Sequence, residues 1–214
     1  MKYRLTILLF FITFYSCFSW NVIVITVLDT SFLQLSETFL IEEMGKRELT
    51  GKNDGKHITK YMKSCYLSGK KHYPYCAAGQ VYCLDKATDS LKLDYPFSKH
   101  SAVANFHYTD AITLGKKINR LPKAHDFIIW KHLKGNSGHI ERIDSIINEY
   151  KFITYAFNTS NGKNGSQRNG NGNYKRIRSL HPILGKMRLR GFVGFKQKIK
   201  IRAIGKSPLR LCNG

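Results

Sequence analysis

HYPYCAAGQVYCLDKA, His72 to Ala87, is the stretch on which the reading of this chain turns. Tyr73-Pro74-Tyr75 is a turn signal, and behind it Ala77, Val81, Leu84 and Ala87 recur at helical spacing. The spacing predicts a helix that opens at Cys76. A thiol in that place faces the unpaired N–H groups of the first turn and the positive end of the helix dipole. Both favour the thiolate, the form that attacks a carbonyl. Cys76 is the candidate nucleophile, although a free cysteine on an apolar helix face is ordinarily a packing residue. The decision rests on whether the rest of the chain supplies a base.

Upstream, Phe32, Leu35, Phe39 and Leu40 fall at helical intervals within residues 29–49, a helix expected to end in the charged string Glu42 to Glu48. Thr50 to Gly55 is turn-rich, and His57 to Leu67 reads as a short helix with Ile58, Tyr61, Met62 and Cys65 on one side. Ala102 to Ile118 is ambiguous, with room for one more short helix. After Pro122 the period changes. Phe127 to Trp130, His139 to Ile147, Tyr150 to Tyr155, Tyr174 to Arg178 and Gly191 to Phe195 read as strands. Asn158 to Asn173, rich in Gly, Asn and Ser and without a large apolar residue, predicts a mobile surface loop. Helices first and strands afterwards predict an α+β fold, N-terminal helices packed on an antiparallel sheet.

The 214 residues suffice for one core and an appendage. Residues 1–28 open with Lys2 and Arg4, followed by apolar runs Leu5 to Phe14 and Val22 to Leu28. They read as a signal peptide or, taken together, as an uncleaved membrane anchor; Cys17 is a weak candidate for lipid attachment. Either leader predicts export to the periplasm, cell envelope or exterior. The five cysteines leave at least one thiol unpaired in an exported protein, which suits Cys76; Cys83 reads as a core residue, and Cys65 could pair with Cys83 or Cys212.

Lysine and arginine number 35 against 14 acidic residues, a formal net charge of +21, and no carboxylate side chain follows Glu149. Such a balance points to a polyanionic partner: nucleic acid, an anionic membrane face or an anionic cell-wall polymer. Nucleic acid fits poorly, because the leader exports the chain and no aromatic-and-basic recognition motif is present. The tail 196–214 carries Lys198, Lys200 and Arg202 in alternation with Ile199 and Ile201, the pattern of a charge-protected edge strand.

Of the eight histidines, His139 has the setting of a base. It follows the turn Gly135-Asn136-Ser137-Gly138 and opens an alternating strand, so its ring can project from the end of the sheet toward the cysteine helix. Glu141, two residues on, shares its strand face. No His and Cys pairs have the spacing of a zinc site, so no metal or cofactor is expected.

The pieces GKRELTGKNDGKHITKYMKSC, YPYCAAGQVYCLDKA, LPKAHDFIIW, GHIERI, TYAFNTSNGKNGSQRNGNGNYKRIR and GFVGF resemble, in order and interval, the CHAP family of cysteine hydrolases, over roughly Gly45 to Phe195. The resemblance implies a papain-like fold and action on peptidoglycan, as an amidase or an endopeptidase. It places the nucleophile at Cys76, the general base at His139 and an asparagine that orients the imidazole at Asn158. Asp126 matches an aspartate at a strand start that is structural, and Asn53 and Asp54 a turn that frames the cleft. The family's pattern around the asparagine is commonly Glu-Gly-Asn-Thr, where this chain has Ala156-Phe157-Asn158-Thr159, and His125 stands where a glycine is usual. Glu141 is then a candidate electrostatic support for His139. The expected organisation is residues 1–28 as leader, 29–195 as a CHAP-like cysteine hydrolase domain and 196–214 as a basic tail. The alternative is a catalytically silent wall-binding or assembly protein that keeps the fold.

Overall fold

A computed structural model of the protein describes residues 30–116, 118–119, 121–162 and 170–195. The leader at 1–28 with Cys17, and the basic tail 196–214 with Cys212, lie outside the described residues. Four helices come first: α1 (Thr30–Glu43), α2 (Lys56–Ser64), α3 (Cys76–Leu91) and α4 (Ala104–Thr113), with a 3-10 turn at Gly69–Lys71. Strands β1 (Ile118–Asn119), β2 (Phe127–His132), β3 (Gly138–Asn148), β4 (Lys151–Thr159), β5 (Gly172–Ser179), β6 (Ile183–Leu184) and β7 (Met187–Val193) follow. They form one antiparallel sheet in the order β1-β7-β2-β3-β4-β5, with β6 beside β7. The class is α+β. Among the described residues no helix is long and apolar enough to cross a membrane.

The two faces of the sheet are filled differently, as strand alternation requires. Phe127, Ile129, Ile140 and Val193 meet Phe32 and Leu33 of α1 and Ala77, Leu84 and Ala87 of α3 in one apolar cluster. Each large side chain so buried contributes ~1.5–3 kcal/mol. Ile128, Trp130, Ile143, Phe152, Met187 and Phe192 form a second cluster from the alternate positions of the same strands. Helix α3 is pressed against β4: a Cβ at Gly79 would lie 2.2 Å from the Phe157 ring, and Gln80 Nε2 donates to the Tyr155 carbonyl at 3.0 Å. Only glycine allows that approach.

Helix α1 ends at Glu43, inside the charged string where the sequence predicts its end: the Glu43 carboxylate turns inward to Lys46, Lys60 and Tyr61 while Gly45, at φ 81, donates its N–H to the Asn173 carbonyl. One expectation fails for a traceable reason. The expected surface loop at 158–173 is buried at both ends. Asn158 and Thr159 finish β4, and Gly172 and Asn173 begin β5. Amide chemistry holds them in place of apolar packing: Asn173 Nδ2 donates to the Glu43 carbonyl (3.0 Å) and to the Tyr61 hydroxyl (2.9 Å). Residues 163–169 of that stretch lie outside the described residues.

Candidate active site

Helix α3 begins at Cys76, directly behind Tyr73-Pro74-Tyr75, and carries no acidic residue in its first turn. The first N–H groups of a helix have no intrahelical acceptor, so α3 offers unpaired donors at the end where Cys76 stands. Strand β3 begins at Gly138, and the Cys76 thiol lies 3.8 Å from the Gly138 carbonyl oxygen. A Cβ at Gly138 would come within 2.1 Å of the Trp130 carbonyl, so β2 and β3 close on each other at the point where the chain delivers His139. Cys76 lines the same cleft as the His139 ring and is close enough to act on its protonation.

The other side of that ring is held by Glu141, with His139 Nε2 at 2.9 Å from Glu141 Oε1. That contact fixes the imidazole and leaves Nδ1 for the sulfur. Glu141 is wholly buried, and its remaining valence is satisfied by Thr154 Oγ1 (2.6 Å to Oε2) and by Arg178, whose Nε donates at 3.1 and 2.9 Å and whose Nη2 donates to Oε1. Burial opposes charge on both His139 and Glu141, and the partners outweigh it. The neighbouring Cys76 and the hydrogen-bonded Glu141 raise the His139 pKa to about 9, while Arg178 and His139 hold the Glu141 carboxyl well below the usual range. Both shifts favour a charged ring backed by a carboxylate.

Asn158 does not orient the imidazole. It lines the same cleft with its backbone in the left-handed region (φ 51), but its Nδ2 donates to Asn53 Oδ1 at 2.9 Å. The reason is positional: Glu141, two residues from His139 on the same strand, already occupies the ring nitrogen. Asn53 in turn donates through Nδ2 to the His72 carbonyl (3.1 Å), tying β4 to the segment that leads into α3. Asp54 closes the Thr50 to Asp54 turn by accepting from the Thr50 N–H and hydroxyl at 2.9 and 2.7 Å. Asp126 sits at the head of β2, where Asn119 Nδ2 and the Lys123 N–H donate to it; burial raises its pKa to about 6 against those bonds. It does not line the cleft.

No protein-family model matches the chain, and no curated protein matches it.

The cleft that passes Cys76 and His139 has a volume of about 790 Å³. Its walls are largely apolar, with Tyr73 and Pro74 on one side, Val103 on another, and Leu184 and Met187 from the β6–β7 hairpin. Lys186 at the tip of that hairpin is the one lysine or arginine on the described lining, which includes no aspartate or glutamate. Cys65 and Cys83 are free, buried thiols away from this cleft, and burial pushes the Cys65 thiol up to about 12. Among the described residues no cluster of histidine, cysteine and carboxylates could hold a metal ion. Arg178, Thr154 and the β6–β7 wall carry no signal in the sequence. Their roles come from strand pairing that no local pattern reports.

Proposed function

We propose that the protein is a papain-like cysteine hydrolase that cuts amide bonds of peptidoglycan, exported by residues 1–28. The observation that carries this reading is the meeting of Cys76, at the start of a helix, and His139, at the start of a strand, on one cleft with a buried carboxylate behind the ring. In the proposed reaction the Cys76 thiolate adds to the substrate carbonyl carbon, and the carbonyl electron pair moves to oxygen. The Cys76 N–H, free at the helix start, is a donor for that oxyanion. His139 gives its proton to the departing nitrogen, so the C–N bond breaks and an acyl thioester remains. Neutral His139 then takes a proton from water, whose oxygen attacks the thioester, and the thiolate leaves.

Several details support the family resemblance. Glu141 is directly across from Ala156 in the β3–β4 register, so the neighbouring strand supplies a carboxylate beside the position where the resemblance expects one. His125, at a position where a glycine is usual, has its backbone at φ 67, a region glycine favours. The excess of basic residues suits an anionic wall, an attraction that salt should weaken.

The test is mass spectrometry of muropeptides after incubation of purified wall with the wild type and with Cys76→Ser. New products from the wild type alone are expected, and their masses identify the bond. A wild type that releases nothing, with Cys76 inert to iodoacetamide while the protein is folded, would return the chain to the silent wall-binding reading.

A further inference from the structure

The carboxylate that backs His139 depends on a partner of its own. Glu141 has no exposed surface, and a carboxyl in that situation is protonated at neutral pH unless a cation holds it ionised. Arg178 does this from two strands away. It reaches from β5 across β4 and grips both carboxylate oxygens through Nε and Nη2, while Thr154 Oγ1 of β4 donates to Oε2. Arg178 is itself 7% exposed, its Nη2 also lies 3.4 Å from Thr159 Oγ1, and it does not line the cleft. A planar guanidinium forks onto a carboxylate in this way, and a lysine ammonium cannot.

We infer that Arg178 is a positioning residue for the reaction: it fixes Glu141 as an oriented carboxylate, and Glu141 in turn holds the His139 ring in place as an imidazolium. The inference rests on the reading of Cys76 and His139 as nucleophile and base. The groups facing this chain of contacts can be named element by element. From α3 comes Cys76, from β2 the uncharged Trp130 ring at 6.1 Å from the His139 ring, from β4 Thr154, and from β5 Arg178 with Arg176 close enough to interact electrostatically with Glu141. On the cleft side stand His132 and Lys186. Among the described residues Arg178 is thus the one cation in direct contact with Glu141 other than His139 itself. Without it, Glu141 gains a proton more readily, the imidazolium keeps Cys76 alone as a counter-charge, and burial pushes the ring toward the neutral form.

The experiment follows the His139 ring by NMR in histidine-labelled full-length protein, the resonance assigned by its loss in His139→Gln. Wild type is expected to titrate at an alkaline midpoint, about 9. In Arg178→Met the midpoint falls by about one unit or more, the scale set by a close opposite charge, and kcat falls with KM little changed. Arg178→Lys gives an intermediate midpoint. A role confined to folding would lower the melting temperature and leave the midpoint where it is. Folded Arg178→Met with a wild-type midpoint overturns the inference; if that variant does not fold, a wild-type midpoint in folded Arg178→Lys overturns it equally. The two readings fail separately. A His139 midpoint that depends on Arg178 in a protein that cleaves no wall peptide would remove the substrate reading alone. Unchanged cleavage and pH profile in the Arg178 variants would remove this one alone.

Discussion

Among the described residues two glutamates are buried, and they are used in opposite ways. Glu43, at the end of α1, is met by Lys46, Lys60 and Tyr61, and its backbone carbonyl accepts from Asn173. Its cations are lysines whose ammonium groups remain partly in water, and its contacts join α1, α2 and β5 into one knot. Glu141 is gripped by an arginine fork and faces an imidazole that opens on a cleft. Against burial, partners hold both carboxyls below the usual carboxylate range. Burial and a lowered pKa therefore do not mark a site. What separates the two is the neighbour: Glu141 holds a ring that lines a cleft beside the Cys76 thiol, and Glu43 holds a tyrosine inside the core.

The comparison is broken most sharply by removing each charge. Glu141→Gln should lower turnover on wall peptides by ~10²- to 10⁴-fold, as when an orienting carboxylate is lost from a triad, whereas Glu43→Gln should leave turnover within a few-fold. Muropeptide release rates check both; equal losses would erase the distinction. Stability is expected to separate them as well. Glu141→Gln takes the carboxylate away from a buried guanidinium and should cost ~3–5 kcal/mol. Glu43→Gln, whose cations can turn to solvent, should cost ~1–3 kcal/mol by denaturant unfolding.

Titration sharpens the contrast at the two ends of the pH scale. The folded His139 pKa, about 9, lies above that of an unfolded histidine, ~6.5. Its contribution to stability is fully present below the unfolded value and is lost as pH rises through about 9. The lowered carboxyls of Glu43 and Glu141 act in the other direction, contributing above their unfolded value and losing that contribution as pH falls through the folded one. Melting temperature should fall between pH 7 and pH 9.5 in the wild type, and fall less in His139→Gln. An equal slope in both would detach the alkaline end from the site. The rate of turnover should decline over the same alkaline range, since a neutral ring has no proton for the leaving amine.

The smallest expected effect is at Asn158. Its amide binds Asn53 and leaves the ring alone, so Asn158→Ala should slow turnover by no more than a few-fold. It should cost ~1 kcal/mol in stability through the left-handed backbone at φ 51, and Asn158→Gly should recover that cost. A loss comparable to that of Glu141→Gln would give Asn158 back the orienting role.

Much of the fold and part of the site could be read from local pattern. The helix start at Cys76 follows from a Tyr-Pro turn and four apolar residues in phase, and His139 from a glycine turn ahead of an alternating strand. The position of Glu141 on the His139 face is legible for the same reason, since alternation is a property of adjacent residues. Its dominance over Asn158 is not, because that is decided by Arg178, which pairs with Phe152 on a distant strand. On β5 the hydrophobic signal even points the wrong way: Ile177 is 65% exposed and Arg178 is inside. Nothing in a run of basic residues says which one will be buried, since the reason is a carboxylate 37 positions earlier. The Gly/Asn-rich stretch misled for a related reason. Its lack of apolar side chains suggested a surface, but Asn173 is retained inside by the hydrogen bonds that its amide makes.

The placement of the three described thiols has a consequence for how long such a protein stays useful in air. Cys83 is seven residues along α3 from Cys76, ~10 Å by helical rise, beyond the span of a disulfide, and Cys65 belongs to a different apolar cluster. Among the described residues Cys76 is the one thiol that lines the cleft, and Cys83 in its helix is out of reach to trap a sulfenic acid formed there. Oxidation can then run on to the sulfinic acid, which ordinary reductants do not reverse.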